Sequence, residues 1–121
     1  MNMVAILRRL FLALVISNTA LHASAQSLDG LCLDTVEEGC MPRFLPFYGN
    51  SVDFCEETCS LEKPVNVRGL DGVLYDLSCR ADYDTPLDGS RIMLLTQMNW
   101  EGRRSMYWIS ANDTIKIVAC P

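Results

Sequence analysis

The stretch CEETC places Cys55 and Cys59 four residues apart, with Glu56, Glu57 and Thr58 between them. Two thiols at that spacing can form a redox pair, a metal clip or two anchors of the fold. A reactive thiol needs its thiolate stabilised by nearby positive charge or a helix N-terminus. Here two glutamates add negative charge beside both sulfurs, which disfavours the thiolate. The spacing is C-x-x-x-C rather than the C-x-x-C of thioredoxin-like sites. The residues therefore predict anchors. A thiol-disulfide redox protein using Cys55 and Cys59 is the second reading.

The other cysteines support anchors. Cys32, Cys40, Cys55, Cys59, Cys79 and Cys120 make an even set, which in a short exported chain predicts three disulfides. NSVDFCEETCSLEKP reads as a short helix, with Asn50 or Ser51 as cap and Pro64 beyond its end. Residues four apart share one face of a helix. Cys55 and Cys59 should then bond outward to different partners. Cys79 and Cys120 lie in strand-like segments and are the expected partners, which leaves Cys32 with Cys40.

Export is read from the first residues. Arg8 and Arg9 precede the short apolar run FLALVI, and Ala23 and Ala25 sit as the small residues of a cleavage site. That order is a secretory leader, residues 1–25, cleaved after Ala25. RRLFL resembles part of a twin-arginine signal and gives the leader a bacterial flavour, but the polar residue and lysine usual in that pattern are missing, which favours an ordinary secretory signal. The expected mature chain is a single disulfide-rich domain, residues 26–121, periplasmic or secreted, without an integral membrane segment.

Losing the leader removes two of ten basic residues and none of fifteen acids, for a net charge of about −7. Nucleic-acid binding needs a basic footprint, so that class of partner is excluded. His22, the only histidine, leaves with the leader. Ser-His-Asp and Cys-His catalysis and histidine-ligated zinc leave with it. No phosphate loop or nucleophile elbow occurs, and no pair of acids stands out as a catalytic pair. We expect no enzyme, no cofactor and no metal. Asp82, Asp84 and Asp88 invite a calcium reading, but an EF-hand frame begun at Asp82 puts Pro86 at position five and Met93 at position twelve.

The elements that would hold these residues divide the chain in two. SLDGLCLDTVEEGC spaces Leu28, Leu31, Cys32, Thr35 and Val36 as on a helix, with Gly39 as its stop. MPRFLPFYGN holds two prolines and predicts an irregular loop whose Phe44, Phe47 and Tyr48 cover the core or form a docking surface. From residue 64 onward, five segments rich in β-formers and parted by short turns predict strands, beginning with a hairpin at Asp71-Gly72. The expected fold is α+β: two short N-terminal helices and a five-stranded antiparallel meander.

One stretch stands out for recognition. NWEGRRSMYW sets Trp100, Arg103 and Arg104 at a turn, and Trp and Arg dominate interface energies. The plainer account is a solvated turn whose tryptophan covers the sheet edge. The sequence points to a small non-enzymatic binding module, an inhibitor being one form of it. Its partner is a protein or envelope component, met at Trp100, Arg103 and Arg104.

Overall fold

A computed structural model describes residues 27–81 and 87–121. The predicted leader, together with Asp82 and Asp84 of the acidic loop, lies outside the described residues.

Eight antiparallel strands follow one another around a closed barrel. They are β1 (Leu31–Asp34), β2 (Phe44–Tyr48), β3 (Ser51–Phe54), β4 (Glu57–Asn66), β5 (Gly72–Arg80), β6 (Arg91–Met98), β7 (Arg104–Ile109) and β8 (Thr114–Ala119). Each strand pairs with its neighbours in the chain, and β1 closes on β8 through Leu31↔Ala119 to Asp34↔Lys116. The described residues contain no helix, so the α+β expectation is overturned. None of their elements is a helix long and apolar enough to cross a membrane.

The second expected helix fails because a two-residue period wins over a 3.6-residue one. Val52 points inward from β3, and Glu57, Cys59 and Leu61 point inward from β4. That alternation is the signature of a strand. Cys55 and Glu56 form the tight turn between the two strands, flanked by the pair Phe54↔Glu57, and Cys55 takes a left-handed φ of 54°. The first expected helix fails similarly. Leu33 is fully enclosed on β1, and Val36 is left in solvent rather than sharing a buried face.

Pro46 does not stop β2 from being a strand. Its register partner is Cys32 on β1, and the ladder to β3 starts only at Phe47↔Val52. Proline is tolerated where no ladder bond is asked of its nitrogen. The expected Asp71-Gly72 hairpin is present with a wider turn. Val67 N–H donates to the Gly72 carbonyl at 2.9 Å, and Arg68 to Asp71 lie between. Strands β5 to β8 occupy the segments whose alternation predicted strands.

An eight-stranded barrel has an interior that its own side chains can fill. Leu33, Val52, Cys59 and Ile92 form its most enclosed part, with Phe47, Leu77, Leu94, Trp108 and Ile117 around them. Three disulfides staple it: Cys32–Cys120, Cys40–Cys55 and Cys59–Cys79. Cys55 and Cys59 do have different partners, but Cys32 bonds Cys120 and Cys40 bonds Cys55. The pairing follows barrel register: Cys59 lies directly opposite Cys79 in the β4–β5 ladder, and closure puts Cys32 beside the tail of β8. Three such bonds suit an oxidising, extracellular type of environment.

Candidate functional site

The two ends of the barrel differ. One end carries the β1–β2, β3–β4, β5–β6 and β7–β8 connections, with Glu37, Glu38, Glu56, Asp88 and Asp113 among their residues. The other carries the β2–β3, β4–β5 and β6–β7 turns, where Arg68 and Arg103 stand with Asp71 and Glu101, and Arg104 opens β7 beside them.

The β6–β7 turn is held by one residue. The Asn99 side-chain oxygen accepts from the backbone N–H of Glu101 at 3.0 Å and of Arg103 at 2.9 Å. Asn99 N–H donates to the Arg103 carbonyl at 2.9 Å, and Gly102 N–H returns to the Asn99 carbonyl at 3.0 Å. Such side-chain bonds to the following backbone are why asparagine favours turns. Gly102 supplies the left-handed conformation, φ 80°, that a side chain would strain. Trp100 rides on this braced turn at 92% exposure, with Met98 and Leu70 also exposed on the same end. It does not cover the sheet edge. Arg103 bonds Glu101 at 3.4 Å, and Arg104 makes no ion pair among the described residues.

The aromatic loop disperses instead of gathering. Phe47 enters the core, Phe44 lies 4.9 Å beneath the Arg43 guanidinium, and Tyr48 alone is largely exposed. Asp88, the described member of the acidic trio, accepts from Cys79 N–H at 2.9 Å. That bond gives it a role in closing the β5–β6 connection.

Sequence reasoning missed one buried group. Glu57 points into the barrel, within 3.5 Å of Cys59 Sγ and near the Cys59–Cys79 bond. A metal needs free thiolates, and both sulfurs are committed to the disulfide. A disulfide sulfur carries no hydrogen, so any hydrogen in the contact belongs to the Glu57 carboxyl. Burial, and secondarily the Asp88 carboxylate, raise the Glu57 pKa above its ordinary 4.5. The folded state then holds a proton that the unfolded chain has already lost. This contribution to stability is present below the ordinary glutamate pKa and fades as pH rises through the folded value. Glu57→Gln should therefore gain stability relative to the parent as pH rises from 4 to 7. Urea titrations at a series of pH values measure this, and a constant difference between the two proteins would refute it. The signal in the sequence was period two: Glu57 shares parity with Cys59 and Leu61.

The redox reading needs Cys55 and Cys59 to bond one another, and each is bonded elsewhere, to Cys40 and Cys79. The fold and its chemistry define a class: a small all-β barrel, closed, stapled by three disulfides, with a braced Trp–Arg turn at one end. In comparisons with known proteins, no family model, curated protein or solved structure matches the chain.

Proposed function

We propose that the protein is an exported, non-enzymatic binding module of a bacterial envelope, released as residues 26–121 after loss of the leader. It acts in the periplasm or outside the cell, and it engages a protein or envelope component through Trp100, Arg103 and Arg104. The observation that carries this reading is Trp100, nearly fully solvent-exposed on a turn whose backbone is already fixed. A rigid aromatic anchor loses little conformational freedom on binding. Tryptophan brings large apolar area, and arginine a planar fork for carboxylates or phosphates.

The test is Arg103→Ala combined with Arg104→Ala, and separately Trp100→Ala. Oxidised proteins are immobilised and compared for capture from the envelope fraction of the source cell. The parent should retain a defined component that the variants lose, at about 2 kcal/mol or more of binding energy. Unfolding free energies should stay within about 0.5 kcal/mol, since these side chains are exposed. Equal capture by parent and variants would remove the turn from the interface.

A further inference from the structure

The barrel is closed, but one seam does not zip to its end. The β7–β8 ladder runs from Ile109↔Thr114 to Met106↔Ile117 and stops. Continued register would pair Ser105 with Val118 and Arg104 with Ala119. These residues are still strand, because Ser105 and Arg104 pair with Gln97 and Met98 of β6, and Val118 and Ala119 pair with Cys32 and Leu31 of β1. Two strand edges thus face one another across a gap. A cavity of about 490 Å³ occupies it, bordered by Arg104, Ser105, Val118 and Ala119, with Met106 and Ile117 among its apolar residues and Lys116 and Asp71 as further charged ones.

The gap is held open from both sides. The tail of β8 is tied to β1 by Cys32–Cys120 and by Cys120 N–H donating to the Gly30 carbonyl at 2.9 Å. The start of β7 is tied to β6 by the Asn99 turn.

Proteins usually blunt an open strand edge with proline, a bulge, a lysine or a cover. This barrel does so elsewhere. Beyond the reach of β3, β4 carries a register break between Glu62 and Val65, Lys63 at φ 53°, and Pro64. The short β2–β3 ladder gives way to Pro46, and Cys40–Cys55 bridges the chain beyond it. Residues 104–105 and 118–119 carry no proline and no bulge, and Arg104 is the one charge among them.

We infer that this seam accepts an extended polypeptide segment from the partner, added as a short strand between β7 and β8. The inference rests on the binding-module reading and narrows its partner to a polypeptide. Backbone hydrogen bonds to two edges supply affinity, and alternate side chains supply specificity. One face of the inserted strand meets Met106 and Ile117. Arg104 shares the parity of Met106 and Trp108 along β7, which sets it at the rim of the gap, and it selects a segment with a carboxylate there.

Random heptapeptides displayed on phage are panned against the oxidised protein, and the most enriched sequence is synthesised with blocked ends. Its addition should slow amide exchange among residues 104–105 and 118–119. Arg104→Glu should weaken it roughly tenfold or more, and Arg80→Glu, exposed at the opposite end of the barrel, should not, as expected where the ligand charge is met at the seam. N-methylating the central amides of the peptide should also abolish binding. Enriched peptides that shift Trp100 emission and leave seam exchange unchanged overturn the inference while keeping the turn as an interface. Failure to enrich any peptide overturns it too. In that case, capture lost in Arg103→Ala/Arg104→Ala would show that the wider reading survives. A blue shift of Trp100 emission on phosphatidylglycerol vesicles would reassign this end to a lipid surface.

Discussion

Replacing both Cys32 and Cys120 by alanine should lower the unfolding free energy more than removing either of the other disulfides. Their bond joins residues 88 apart in sequence, against 15 for Cys40–Cys55 and 20 for Cys59–Cys79. In the chain-entropy model a cross-link stabilises by limiting the unfolded ensemble, and the effect grows with the logarithm of loop length. That gives about 4.6 kcal/mol for the long loop and about 3 kcal/mol for each short one. The long bond also sits where the first strand meets the last. Without it, closing the barrel relies on the four-residue β1–β8 ladder to bring together the two ends of the domain. Against a typical total of about 5–15 kcal/mol, the loss leaves a marginal protein. Urea unfolding of the three double-alanine variants ranks them directly. A smaller loss for Cys32/Cys120 than for either Cys40/Cys55 or Cys59/Cys79 would refute the closure argument.

Trp108→Ala should cost about 3–5 kcal/mol, the range for removing a large buried aromatic. Trp108 is 4% exposed and packs against Phe54 at 5.8 Å and Phe47 at 6.4 Å between ring centroids. It thereby joins β7 to β2 and β3 through the barrel interior, across strands that share no ladder with it. The other tryptophan is the internal control. Trp100→Ala removes an equal side chain that touches solvent, and its effect on unfolding should stay within about 0.5 kcal/mol. Thermal and urea unfolding of the two variants measures both. Comparable losses would mean that Trp100 packs on the fold, and the proposed anchor would lose its basis.

Glu57 and Arg104 show how partial the sequence was as a guide to sites. Arg104 was visible by composition, next to Trp100 in a turn, but its place at an open seam depends on where the β7–β8 ladder stops. Glu57 looked like one more surface acid on a helix. Only the strand parity it shares with Cys59 turns it into the barrel, and parity has meaning only once the element is known.

What the sequence determined by itself is chiefly local. Alternating β-formers and turn residues from Val73 onward required strands, because period two sorts side chains between two faces whatever they pack against. An even set of cysteines implied cross-links, and the stretch around Trp100, Glu101 and Gly102 implied a turn, but only the structure shows that Trp100 stands in solvent there. The tertiary structure decided the rest. Between Leu28 and Leu61, acids, leucines and the C-x-x-x-C spacing fit a helix locally, and prolines argued against a central strand. Those weak preferences lost to closure of the sheet. The edges of β1 and β4 each gained a neighbour, and Leu33, Val52, Cys59 and Leu61 gained one shared interior. Disulfide pairing belongs to the same decision. Cys32 meets Cys120 because β1 pairs with β8, a contact between the two ends of the domain that no local pattern encodes.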